Sequence, residues 1–391
     1  MDTKLFLDRT KRLFWYIYAL SVRYFIPVKR NRIIFGSYSF TKYACNPRYL
    51  TEYLLDNHSD EFELVWIFNK NIPVDDIDPR VKVVRKYSFS YIHALYSSRF
   101  FIYNKRNNRY ETMYVKKHNQ KYIMAWHASL GLKKIEFDAI DQLGKCYISH
   151  AEDDSKMCDL MLSNSTYYSK QIPNTFRYRG EILEHCIPRN DIFYNKAYIQ
   201  KCRDEIRDQY SMSSKDILVI YAPTFRYDSN VNIYKLDWER ICLNIKLKHK
   251  CDVKVLVKLH PNIAHIKEIE EIIDYNNVYN VSKVNEIAPL LFASDIVITD
   301  YSSIMFDCAI LNKQCLLYTP DHKTYDRGFC WTLESLPFPI AYSEDELIIN
   351  IRDFSKEIYD KNIKEFKNTI WGLEEDGKAC ERLYNWIKKN R

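Results

Sequence analysis

Glycine is scarce in this chain, 7 in 391 residues, while tyrosine reaches 32. The 11 cysteines stand at irregular positions from Cys45 to Cys380, their number is odd and no CxxC pair occurs. That pattern excludes a zinc ribbon and a closed disulfide framework, and reduced cytosolic thiols are the simpler reading. No HExxH occurs, and His260 and His265 do not share a helical face, so no metal site is expected. Internal repeats and low-complexity segments are absent. The longest apolar stretch near the start, Leu13 to Val22, is interrupted by Arg23 and is too short to cross a bilayer; no small-residue cleavage site follows it. Neither a span nor a cleaved signal is expected. What remains is an ordinary globular composition, 47% apolar and 28% charged, in a chain long enough for two domains with full cores.

The net charge is +7, and much of it sits at the start, where Arg9, Lys11, Arg12, Arg23, Lys29 and Arg30 surround the apolar core. Residues 1–30 therefore read as a basic, aromatic-rich amphipathic segment suited to an anionic membrane surface, each basic residue contributing on the order of 1 kcal/mol near the headgroups. Nucleic acid is a poorer partner: basic residues beyond the N-terminus alternate with Glu and Asp, and no DNA or RNA motif occurs.

From Asn31 onward strands alternate with helices. Arg32 to Phe35, Glu63 to Phe68, Val81 to Val84, Phe100 to Tyr103 and Lys121 to Trp126 read as strands, and Asn46-Pro47 as the cap and first position of a helix. This implies mostly parallel sheets covered on both faces. We expect a first domain over 31–193, a polar linker over 194–214, and a second domain over 215–391 that includes the terminal helices.

Candidate chemistry lies at strand ends, where open α/β sheets bind ligands. His127 closes one strand, and Lys133 and Lys134 follow it. In the second half, Asp216 to Tyr221 runs into Thr224-Phe225-Arg226, and Val253 to Leu259 delivers Lys258 and His260. Ile296 to Ile298 leads through Thr299-Asp300-Tyr301-Ser302-Ser303 into a helix bearing Asp307. Cations and unpaired helix N–H donors converging on one crevice suit a diphosphate, and Arg327 in the polar loop 321–328 adds a further candidate contact. Asp76-Ile77-Asp78 imitates a metal-binding DxD but lies between prolines in what reads as a loop.

Seven ordered motifs, NP-x-YL at Asn46, Trp126-His127 with Lys133-Lys134, PRND at Pro188, YAPTFR at Tyr221, TDYSS-x-x-FD at Thr299, RGF at Arg327 and EDGKA at Glu375, resemble the CDP-glycerol glycerophosphotransferase family of teichoic acid and capsule synthesis. The resemblance covers about Asn31 to the C-terminus. It implies a GT-B-like α/β fold, two Rossmann-like domains facing across a cleft. It also implies transfer of a polyol phosphate from CDP-glycerol or CDP-ribitol to a hydroxyl of a lipid-linked saccharide or growing polymer, releasing CMP, at the cytoplasmic face of the plasma membrane.

Residue by residue, the family's base matches His127 and its diphosphate-binding histidine matches His260. The donor contacts match Arg226, Ser302, Ser303, Asp307 and Arg327; Thr224 and Lys258 join the donor side from their strand ends, and Asn46, Lys133 and Lys134 are expected on the acceptor side. No cofactor is implied. Ala128 stands where the family has glycine, in a loop that bears on the acceptor. A GT-B sugar-nucleotide glycosyltransferase is the alternative enzyme.

Overall fold

Ile33 and Phe35 fall in one buried cluster and Ile34 in another, and the same alternation runs through Leu64, Val65, Trp66, Ile67 and Phe68 on the neighbouring strand. Successive strand residues point to opposite faces, so a run buried on both sides belongs inside a sheet covered twice over. The computed structural model describes residues 3–127, 131–226, 231–260, 275–284, 286–325 and 328–391. It divides into two units, one of Met1–Ser129, Ile135–Asp191 and Leu373–Arg391, the other of Leu130–Lys134 and Ile192–Gly372.

The first unit holds strands β1 Lys29–Gly36, β2 Glu63–Phe68, β3 Lys82–Arg85, β4 Ser98–Tyr103, β5 Lys121–Met124, β6 Leu160–Leu162 and β7 Glu181–Leu183. They form a parallel sheet in the order β3-β2-β1-β4-β5-β6-β7. Helix Cys45–Asn57 and the final helix Ala379–Lys389 contribute Leu50, Leu54, Leu383, Trp386 and Ile387 to one face. The other face takes Tyr91, Ile92 and Leu95 from helix Phe89–Ser97. Helix Thr3–Val22 adds Ala19 there, with Trp15, Tyr18 and Val22 packed beside it. Its outward side is also apolar: Leu13, Phe14 and Ile17 are each more than half exposed, and Phe25 beyond the helix is 86% exposed. Among the described residues no helix is long and apolar enough to cross a membrane.

The second unit holds β8 Ile217–Tyr221, β9 Val253–Val257, β10 Val278–Asn280, β11 Ile296–Thr299, β12 Gln314–Tyr318 and β13 Ile340–Ala341, all parallel, in the order β10-β9-β8-β11-β12-β13. Each sheet thus grows outward from its first strand in one direction and then restarts on the other side, the doubly wound Rossmann order. The chain reversal lies between β1 and β4 in one unit and between β8 and β11 in the other.

Three expectations are corrected. Residues 194–214, read as helix and linker, do contain helix Lys196–Gln209, but they are not a free connection, since Arg203 and Arg207 pair with Asp295 at 2.8 and 3.2 Å. Residues 373–391 do not belong to the second domain. Asp191 of the PRND motif accepts hydrogen bonds from the backbone N–H of Ala379 and Cys380, both 2.8 Å, capping the last helix onto the first unit. Glu375 of EDGKA accepts from the side-chain amides of Asn164 and Asn190, both 2.6 Å, which fastens the segment that precedes that helix. Finally, Asn46 lies inside helix Cys45–Asn57, which is entered from Ala44, so it does not serve as the cap.

Candidate functional site

In the first unit, β5 runs through Ala125 and Trp126 to His127. Trp126 has φ 41°, a left-handed angle that a bulky side chain adopts only under constraint, typically at about 1–3 kcal/mol. The constraint is Asn46, 1% exposed, whose amide nitrogen donates to the carbonyls of Ala125 (2.7 Å) and Trp126 (3.0 Å) while its oxygen accepts from the Arg189 backbone N–H (2.9 Å). Asn46 is therefore committed to holding a strand end rather than presented as an acceptor contact.

His127 itself lies 3.2 Å, through Nδ1, from the main-chain oxygen of Asn104. A carbonyl can only accept, so Nδ1 carries the proton and Nε2 keeps its lone pair. Burial pushes the ring pKa from 6.5 down to about 4; the bond to Asn104 opposes the shift, and the charges of Lys105 and Arg189 add to it. The ring is thus neutral near pH 7, with Nε2 as its one basic atom. Tyr38 leans over it at 6.1 Å, from a turn in which Tyr38, Ser39 and Phe40 all have positive φ.

In the second unit, Thr224 at the end of β8 and Asp300 at the end of β11 meet across the chain reversal. The Thr224 backbone N–H donates to both Asp300 oxygens at 2.9 Å, and its hydroxyl to one of them at 2.6 Å. Arg226, 8% exposed, is clamped between carboxylates: Nε donates to Asp321 at 2.6 Å, Nη2 lies 2.8 Å from Asp300, and Nη1 donates to the Thr224 carbonyl at 2.6 Å. Although burial works against its charge, the bonds to Asp321 and Asp300 raise its pKa above the ordinary guanidinium value. Tyr301 donates to Asp321 at 2.9 Å, and the rings of Tyr301 and Tyr325 each lie 5.0 Å from the guanidinium carbon of Arg226. The expected open phosphate contact is in this structure the centre of a neutralised cluster. The sequence reading missed Asp321 and treated Asp300 as a turn residue; the signal available was a buried arginine, which demands carboxylates nearby.

Lys258, following β9, donates to the Val284 carbonyl, and His260 is exposed with its ring 5.3 Å from Phe225. Ser303 occupies the cap position of helix Ile304–Leu311 with no capping bond from its hydroxyl, and the Ser302 hydroxyl accepts a long bond, 3.4 Å, from the Ile304 N–H. The two serines are partly exposed, as a ligand contact requires. Asp307 is 2% exposed on the inner side of that helix, which differs from the expected open acceptor because its position one turn in faces the core. Arg327 and Ala128 lie outside the described residues.

Lys133 and Lys134 belong to the second unit, not the first: Lys133 pairs antiparallel with Phe329, the Lys134 N–H donates to Gly328 at 2.8 Å, and Lys133 Nζ is 3.5 Å from the Thr224 hydroxyl. They sit on the expected donor side because the segment 131–134 crosses to pair with the 328–330 loop. Asp78 is taken up by Arg80 at 2.7 Å, so the DxD stretch is a closed turn.

Comparison with known proteins agrees with this layout. Residues 18–389 match the family model described as CDP-glycerol:poly(glycerophosphate) glycerophosphotransferase. The teichoic acid poly(glycerol phosphate) polymerase of Bacillus subtilis (strain 168) is 26% identical over 93% of this chain, which spans 49% of that protein, so the chain is about half its length. The teichoic acid glycerol-phosphate primase of the same strain is 31% identical over 70% of this chain and 69% of its own. Solved structures of the wall teichoic acid polymerase TagF, one a variant and one that variant soaked with CDPG, match with TM-scores of 0.80 and 0.79 at 26% identity over 98% of each chain. On the extent of that family match, with a fold shared over nearly the whole length, the chain belongs to the CDP-glycerol:poly(glycerophosphate) glycerophosphotransferase family.

Proposed function

We propose that this chain transfers glycerol phosphate, or a related polyol phosphate, from a CDP-polyol to a hydroxyl of a lipid-linked saccharide or growing polymer, releasing CMP, in the synthesis of teichoic acid or capsule. The observation that carries the reading is the neutral imidazole of His127 at a sheet's carboxyl edge, tethered through Nδ1 so that Nε2 holds the lone pair. The acceptor hydroxyl gives its proton to Nε2 as its oxygen attacks the β-phosphorus; the bond from that phosphorus to the bridging oxygen breaks, and CMP leaves with the electron pair. Charge accumulates on the transferred phosphoryl oxygens and on CMP. His260, Lys258, the hydroxyls of Ser302 and Ser303 and the first N–H groups of helix Ile304–Leu311 are suited to stabilise it. Thr224, Arg226 and Asp300 then act as positioning residues that hold the β8 and β11 ends in place. The TagF structure soaked with CDPG supports a CDP-polyol as donor.

The apolar outward side of helix Thr3–Val22 and its basic neighbours support peripheral attachment to a membrane, at the cytoplasmic face on this reading. The decisive assay incubates the protein with CDP-glycerol or CDP-ribitol and a lipid-linked disaccharide, follows CMP, and weighs the products by mass spectrometry. His127→Gln should abolish release of CMP while CDP-glycerol still binds. Full turnover in that variant would overturn the mechanism, and UDP released from a sugar nucleotide in place of CMP would overturn the substrate class.

A further inference from the structure

Five residues with left-handed backbone angles gather around His127, and none is glycine. Tyr38, Ser39 and Phe40 have φ of 44°, 58° and 67°, Cys45 has 63° and Trp126 has 41°. A side chain resists that region, and three such residues in succession persist only where the surroundings leave no alternative. The turn after β1 is held in that way. The Phe40 N–H donates to the Ser37 carbonyl at 2.8 Å, and the Ser37 hydroxyl to the Lys42 carbonyl at 2.5 Å. Asn69, just past β2, donates its backbone N–H to the Phe40 carbonyl at 2.9 Å and its side-chain amide to the Ser39 carbonyl at 3.0 Å. The Phe40 ring lies so close over Gly36 that a Cβ there would collide with it. What this rigid turn presents is a single half-buried ring, that of Tyr38, 6.1 Å from the imidazole.

Asn104 joins the turn to the histidine. The residue is fully buried, and it uses both of its oxygens: the main-chain one accepts the Nδ1 proton of His127 at 3.2 Å, and the side-chain one accepts from the Tyr38 backbone N–H at 2.9 Å. Its amide nitrogen finds no acceptor among the described residues and lies beside the Cys45 thiol. A buried donor left unmade is costly, so asparagine is a poor choice here for stability alone. On the base, the same residue governs two things that proton transfer requires. One is which ring nitrogen keeps its lone pair, and the other is where that lone pair points, since the rings of Tyr38 and of Trp126, 4.4 Å away, flank the imidazole. We infer that Asn104 is the positioning residue of His127: its main-chain oxygen selects the tautomer, and its side-chain oxygen, through the Tyr38 N–H, keeps the Tyr38 ring against the imidazole so that Nε2 holds one direction. The inference rests on the reading of His127 as the base and adds the residue that aims it. Asn104 acts on turnover only through His127.

The test uses the full chain with isotope-labelled histidine, the His127 signals being those lost in His127→Gln. Ring-nitrogen NMR shifts separate a nitrogen that bears the proton from one that does not. In the parent, His127 should show one tautomer, protonated at Nδ1. Asn104→Ala should give a mixture, and Asn104→Asp, which keeps an acceptor for the Tyr38 N–H, should return the single form. Tyr38→Leu, a change at a half-buried ring, should reproduce part of the alanine effect, and it decides the matter if Asn104→Ala fails to fold. In the CMP-release assay kcat should fall roughly ten- to a hundredfold in Asn104→Ala and roughly tenfold in Tyr38→Leu, with KM for CDP-glycerol within about twofold of the parent and most of the loss recovered in Asn104→Asp. A residue needed only for folding would lower the urea midpoint without moving the tautomer. A mixture already present in the parent, a single tautomer in Asn104→Ala and Tyr38→Leu alike, or a loss of kcat that Asn104→Asp does not recover overturns the inference. A chain whose His127 signals respond as stated but which releases no CMP from either CDP-polyol keeps the positioning role and overturns the proposed function instead, because the NMR arm needs no substrate.

Discussion

His127 is held neutral by its surroundings, and that has a sign. Its folded pKa lies near 4 against 6.5 when exposed, so between those values the unfolded chain binds more protons than the folded one. Stability therefore rises with pH through that window and is lost as pH falls through it. His127→Gln removes this contribution: between about pH 7 and about pH 5 the variant should lose less stability than the parent in urea titrations. Equal losses would contradict the burial of the ring. In the free enzyme, the acid limb of kcat/KM should likewise lie well below that of an exposed histidine.

Arg226 gives the complementary case. Arg226→Ala leaves Asp300 and Asp321 with no cation between them, a loss of about 3–5 kcal/mol for a buried pair broken on one side. Arg226→Lys should rescue little, because an ammonium cannot bridge both carboxylates as the guanidinium does. Urea midpoints check both; an alanine variant as stable as the parent would show that the cluster is not the keystone of these strand ends. A fall in CMP release of about 10²–10³ is expected alongside. The arginine itself was legible in YAPTFR. Its role was not, because Asp321 stands 95 residues away and only the fold brings them together.

At the scale of elements, most strands could be read directly, because β-branched and aromatic runs such as Ile296-Val297-Ile298 mark parallel strands buried on both faces. Helix ends were harder. Asn46-Pro47 has the composition of a cap, yet tertiary demand for a clamp on Ala125 and Trp126 diverts the asparagine. The true capping device is distant: Asp191 holds the N–H groups of Ala379 and Cys380. Asp191→Ala should cost about 1 kcal/mol and selectively raise amide exchange in residues 379–389. Uniform exchange across the first unit would argue against a local cap.

Helix Thr3–Val22 shows a different limit. Its composition suggested one apolar face, whereas Trp15, Ala19 and Val22 face inward and Leu13, Phe14 and Ile17 outward. Phe14→Asp with Ile17→Asp should therefore weaken flotation with anionic vesicles and leave thermal stability nearly unchanged, a cleaner separation than deleting a helix that also covers the core. Undiminished flotation would remove the membrane proposal.

For the molecule as a whole, the periodicity of residues 379–389 announces an amphipathic helix but not which sheet it covers, which is why its assignment to the second domain failed. The answer lies in the long-range bonds of Asn164 and Asn190 to Glu375 and of Asp191 to the backbone N–H groups of Ala379 and Cys380, none of which leaves a pattern in the sequence. Ending the chain at residue 372 should strip protection from β1 and β4 in hydrogen exchange, since Leu383, Trp386 and Ile387 cover the face that holds Ile33 and Ile102. β8 and β11, in a separate core, should keep theirs. Loss of protection in both sheets alike would mean that the units do not stand on their own cores.

The same return of the chain has a meaning for synthesis. A ribosome completes every strand of the second sheet before it makes the helix that finishes covering the first, so part of one side of the earlier sheet, the part that meets Leu383, Trp386 and Ile387, stays uncovered through most of translation and is an aggregation-prone surface of the nascent chain.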